Sequence, residues 1–103
     1  MNDPWAKPFR DIVETVRSGP GMLEAAMRQA AMSGRQLPAP LADFVDKVRA
    51  HPHEVSDENV HDLLQAGYSE DQIFEATVSA ALGAGLLRLE AGLSAIRGQS
   101  DAA

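Results

Sequence analysis

The chain contains no cysteine. That absence excludes a disulfide framework, thiol chemistry and thiolate metal sites, and it is compatible with a cytoplasmic protein. Aromatic residues are scarce: one Trp, one Tyr and three Phe in 103 residues. Ala, Leu and Val must therefore build the core, and such side chains suit closely packed helices better than a β-sandwich. Basic residues are also few. Nine Lys and Arg stand against fifteen Asp and Glu, for a formal net charge of -6. They are scattered along the chain, which argues against a nucleic-acid partner, because phosphate binding needs clustered Lys and Arg. Attraction to an anionic membrane surface is disfavoured for the same reason. The start of the chain, Met1-Asn2-Asp3-Pro4-Trp5, has neither a basic segment nor an apolar one, so no signal peptide is read there. The longest uncharged helical run, Ala76 to Leu87, is shorter than the roughly 20 residues that a membrane-spanning helix needs. The expectation is a cytoplasmic protein with no nucleic-acid and no membrane partner.

What is present is a hydrophobic content of 45%, ordinary for a globular protein. One small domain is expected over residues 1–98, with 99–103 a frayed tail. Every periodic segment reads as helix. Asp3 caps the first, with Pro4 in its first turn and Trp5, Phe9, Ile12, Val13 and Val16 on its apolar face. Ser18-Gly19-Pro20-Gly21 ends it. The second helix is expected over Met22 to Ser33, with Gly34 as a left-handed stop. Its apolar face is Leu23, Ala26, Met27, Ala30 and Ala31, and Met22, Met27 and Met32 read as core filling. Pro38 and Pro40 open the third, which buries Leu41, Phe44, Val45 and Val48 and breaks at His51-Pro52-His53. Ser56 caps a short fourth helix with an inner stripe of Val60, Leu63 and Leu64, stopped by Gly67. Ser69 and Gln72 form a capping box for the fifth, expected to run to about Arg97. No β-alternation of useful length and no internal repeat is visible.

The fifth helix carries the most distinctive pattern. Ala80, Ala81, Ala84 and Gly85 remove side-chain bulk, while Gly83 and Gly92 each weaken a helix by about 1 kcal/mol relative to Ala. Leu82, Leu86, Leu89, Leu93 and Ile96 supply a bulky stripe. A helix apolar on most sides should be buried. In a chain this short, a self-association interface is the natural place for it, the alternative being cover by its own neighbours.

The stretch Ala66-Gly67-Tyr68-Ser69-Glu70-Asp71-Gln72-Ile73-Phe74-Glu75, running into Ala80-Ala81-Leu82-Gly83-Ala84-Gly85-Leu86, resembles the closing half of carboxymuconolactone decarboxylase and alkyl hydroperoxidase D-like domains. The resemblance spans about Leu37 to Gly98. It implies an all-α, five-helix domain that assembles with copies of itself as a dimer, trimer or hexamer. In the redox members a Cys-x-x-Cys-x-x-x-His motif precedes the glycine. Counting back from Gly67 places the two cysteines at Pro52 and Val55 and the histidine at Asn59. A second alignment matches Val55-Ser56-Asp57-Glu58-Asn59-Val60 to the phrase that follows the cysteine region in longer members. Under either alignment no thiolate nucleophile and no resolving sulfur exist, so peroxidase and disulfide-reductase chemistry is excluded. The decarboxylase branch needs no cysteine and stays open.

The polar candidates are His51, His53 and His61, which lie within eleven residues, and Arg88, which interrupts the apolar last helix. The histidines are candidate acid/base groups near neutral pH. Two of them with Glu54 or Asp57 could be imagined around a metal, but the spacing matches no zinc signature, and no metal or cofactor is expected. Solvated or capping histidines are the plainer reading, with His51 at a helix C-terminus. Arg88 is a candidate carboxylate binder, or alternatively a structurally paired Arg. Two functions are therefore carried forward. One is a non-redox structural or binding protein forming a homo-oligomer, with room for a small-molecule ligand. The other is a small-molecule enzyme of the decarboxylase or lactone type, using His51, His53 or His61 with Arg88.

Overall fold

The computed structural model describes residues 6–102 and is all-helical there. Five helices follow in chain order: α1 Ala6–Ser18, α2 Ala25–Ser33, α3 Leu41–Ala50, α4 Asp57–Gln65 and α5 Glu70–Ala102. A single 3₁₀ turn, Pro52–Glu54, joins α3 to α4. The expected five-helix all-α domain is what the chain forms. The Asp3 cap, Pro4 and Trp5 lie outside the described residues.

Local chemistry sets most of the boundaries. Gly34 ends α2 in the left-handed region at φ 69°, and the amides of Gly34 and Arg35 both reach back to the Ala30 carbonyl. The Pro40 carbonyl takes the Phe44 amide in the first turn of α3. Ser56 and Asn59 exchange side-chain and backbone hydrogen bonds across the first turn of α4. Ser69 and Gln72 do the same for α5, at 2.9 and 3.1 Å. Between these two helices Gly67 sits at φ 103°, so the chain reverses within a few residues.

Three boundaries differ from the sequence expectation. α2 begins at Ala25, because the amides of Met22 and Leu23 turn to the Glu75 carboxylate, at 2.8 to 3.2 Å, instead of entering a helix. The Pro52-containing segment is a 3₁₀ turn, not an irregular break. α5 passes Arg97 and Gly98 and continues to Ala102, since a lone glycine lowers helix stability without ending a helix.

The core collects Leu41, Phe44 and Val45 from α3, Leu63 from α4, and Ile73, Ala76 and Ala80 from α5. Ala31 of α2 joins them, with Leu23 and Leu37 from the flanking loops. Small residues let helices approach: an atom added at Gly83 would sit 2.6 Å from the Met32 carbonyl carbon. Val48 and Val60 are only half-buried, while Leu64, Ala26 and Met22 face solvent. Of the three methionines expected in the core, Met32 is buried and Met27 packs at its edge, but Met22 is displaced outward with its loop.

One of the buried side chains of α2 is an arginine. Arg28 is 5% exposed. Its Nε donates to the Leu23 carbonyl, Nη1 to Val16 and Nη2 to Gly19. The guanidinium thus closes the C-terminal end of α1, where orphan carbonyls and the helix dipole favour a cation.

Candidate functional site

His51 follows the last turn of α3, where its amide donates to the Lys47 carbonyl at 2.7 Å. The 3₁₀ turn that Pro52 starts brings Glu54 back towards it, and His51 Nδ1 lies 3.7 Å from a Glu54 carboxylate oxygen. The His53 ring sits edge-on to His51, with centroids 6.2 Å apart. All three side chains are exposed. His61 projects from the outer face of α4 into an open groove with Asp57, Glu58, Val60 and Leu64, whose wall includes neither Arg88 nor the other histidines. Among the described residues, no three His, Asp or Glu side chains converge in a way that could hold a metal ion.

Arg88 reaches the end of α3, two residues before His51, but its guanidinium is used there. Nη2 donates to the Arg49 carbonyl at 2.9 Å. Arg49 in turn donates from Nη1 to the Met32 carbonyl at 2.6 Å and to Ala31 at 3.4 Å, in the last turn of α2. Together with Arg28 the arrangement repeats: arginines of α2, α3 and α5 cover the C-terminal carbonyls of α1, α2 and α3 respectively. The interaction of Arg88 is with a backbone dipole, not with an acid or an anion pocket. An arginine held this way has already committed part of its donor fork.

The positions that the family resemblance assigns to redox residues carry structure. Pro52 starts the 3₁₀ turn, Val55 packs against the core and Asn59 completes the α4 capping box. Glu75 likewise holds the α1–α2 loop by its amides. That loop and α5 enclose an open groove of about 520 Å³ lined by Pro20, Gly21, Met22, Asp71, Phe74 and Glu75. Phe74, expected only as part of a family phrase, is 68% exposed on this surface. Sequence reasoning also passed over Arg28 and Arg49. The signal for Arg28 was an arginine among alanines and methionines, in the helix that follows a Gly-Pro-Gly stop, a place where free carbonyls accumulate.

The largest unsatisfied feature is apolar. A helix of 33 residues is about 50 Å long at 1.5 Å per residue, nearly the full 55 Å length of the molecule. Its first half packs on α2 and α3. From Leu89 to Gly98 every residue is exposed except the half-buried Leu93. Leu87, Leu89 and Ile96 are 56%, 49% and 64% exposed. By length and composition the segment Glu70–Gly98 is apolar enough to cross a membrane, although its first half is core. No protein-family model, curated protein or solved structure matches the chain.

Proposed function

We propose that the chain is a non-redox protein of the alkyl hydroperoxidase D-like type, with a structural or binding role exercised as a homo-oligomer. One observation carries this reading. The distal half of α5 presents leucines and an isoleucine to solvent along a helix that no other described part of the chain covers. Water-exposed apolar surface of that continuity marks an interaction site in folded proteins. The polar side chains offer no competing centre. His51, His53 and His61 are exposed, and Arg88 is engaged by a carbonyl, so nothing in their placement favours the decarboxylase reading. Sedimentation velocity tests the proposal directly. A species heavier than the 11.0 kDa chain is expected at micromolar concentration, and a clean monomer there refutes it.

A further inference from the structure

The exposed half of α5 has a register. Leu82, Leu86, Leu89, Leu93 and Ile96 are spaced four, three, four and three residues apart. This is the seam that lets two helices interlock with side chains of one seated between those of the other. Leu89 and Ile96 of this seam are exposed and Leu82, Leu86 and Leu93 are half-buried, while Leu87, 56% exposed, lies outside the spacing.

Three facts indicate that the seam is covered, and by what. First, a helical stretch of this length without tertiary packing is marginal in water, and its apolar face ordinarily supplies the missing stability. Second, Gly85 and Gly92, which flank the seam, further weaken the helix, and an atom added at either meets nothing within 4 Å of the described single chain. Glycines that nothing in the monomer requires leave room for another backbone to approach. Third, the charge is unevenly placed. Only two of nine basic and two of fifteen acidic residues follow Leu82, so the whole net charge of -6 lies on residues 1–81. The arm is neutral as a unit and the body is strongly acidic.

We infer that the distal arm of α5 pairs with the same arm of a second copy, antiparallel, about a two-fold axis beside Ala91. This rests on the assembly reading above and specifies its contact. In that register Leu86 of one copy faces Ile96 of the other, and Leu89 faces Leu93, so the seam is complementary to itself as a two-fold contact demands. Gly92 lies on the flank next to the axis, where the backbones come closest. An antiparallel pair also places the two acidic bodies at opposite ends, whereas a parallel pair sets them side by side.

The absence of native cysteine makes the test clean. Leu86→Cys and Ile96→Cys are prepared as separate proteins and oxidised mildly, alone and as an equimolar mixture. The antiparallel pair gives a disulfide-linked dimer in the mixture and little in either protein alone. Strong self-linking of each protein overturns the orientation while leaving assembly intact. Leu89→Lys and Leu87→Lys are compared by sedimentation at the same concentration. Leu89→Lys is expected to be monomeric and Leu87→Lys to sediment with the unmodified chain. Equal behaviour of these two variants, with the parent still assembled, overturns the seam but not the assembly. A monomeric parent overturns both.

Discussion

Replacing Gly83 by Ala sets helix propensity against packing, and the structure decides which wins. Propensity alone predicts a gain of about 1 kcal/mol, because a glycine inside a helix gives up that much relative to alanine. The geometry opposes it. The new methyl would fall onto the Met32 carbonyl of α2, 2.6 Å from its carbon and 2.8 Å from the Met32 Cα. Carbon atoms prefer separations of about 3.5–4.0 Å, so α5 and α2 must part by roughly 1 Å. The obstacle is backbone and cannot rotate aside. The Met32 carbonyl is also held by Arg49, so moving it disturbs the C-terminal cap of α2. Inserting a methyl into a packed contact typically costs about 1–3 kcal/mol, and here the contact joins two helices of the core. Because the obstacle is backbone the upper end of that range applies, and after the propensity gain a net loss of about 2 kcal/mol is expected. In a domain of this size each kcal/mol moves Tm by about 4–8 °C, so the midpoint should fall by about 10 °C. Gly85→Ala is the control two residues further along. Its added atom meets nothing within 4 Å, so the same substitution should raise the stability of the monomer by up to about 1 kcal/mol. Thermal unfolding followed by circular dichroism, at one low protein concentration to keep assembly from contributing, measures both. A Gly83→Ala protein as stable as Gly85→Ala would refute the close approach of α2 and α5.

Arg28→Ala strands three carbonyls of α1 and the following loop and should cost about 3 kcal/mol in urea unfolding, since hydrogen bonds to a charged donor are worth about 1.5–3 kcal/mol each and are not additive. Arg28→Lys should recover only part of this, because a single ammonium cannot span the three acceptors that the planar fork reaches. Glu75→Gln keeps one acceptor for the Met22 and Leu23 amides but removes its charge, and a loss of about 1 kcal/mol is expected by the same measurement. Combined replacement of His51, His53 and His61 by Asn should leave stability within about 0.5 kcal/mol for each site, as for surface positions generally. A large loss from the histidine variant would mean that they hold structure in the assembled protein.

The sequence made the helices legible where a single residue type has one strong local use. Ser69 with Gln72, Ser56 ahead of Asp57, and Gly34 after Ser33 each act within a turn of themselves, and all three were readable. The start of α2 was not, because it depends on Glu75, which lies 53 residues from Met22. The outward placement of Met22 follows from the same contact. Arg28 is a similar case. Its neighbours in the helix describe an apolar face, but the carbonyls that draw it inward belong to α1 and the following loop. Periodicity reports which side of a helix is apolar, not which long polar side chain can bend over a neighbouring helix end. The histidine cluster reflects closeness in sequence only. His51 and His53 meet because a 3₁₀ turn joins them, while His61 is carried away on the outer face of α4.

The distribution of polar work in this fold bears on what the surface is for. Arg28, Arg49 and Arg88 each serve carbonyls at the end of another helix, and Glu75, Asn59 and Gln72 serve amides. Among the described residues, no buried side-chain nitrogen or oxygen lacks a hydrogen-bond partner. A reaction centre ordinarily holds polar groups away from such local partners so that a substrate can engage them. Of the two buried polar side chains among the described residues, Arg28 terminates α1 and Ser79 donates to the Glu75 carbonyl within α5. The exposed leucines of α5 are the reverse case. About half of their surface stays uncovered among the described residues, and the glycines beside them weaken the helix that carries them. A sequence locally consistent with its fold has no physical reason to combine these features on a free helix. It has one if the helix is half of a contact, because then the glycines set how near the second backbone comes and the leucines set where it stops.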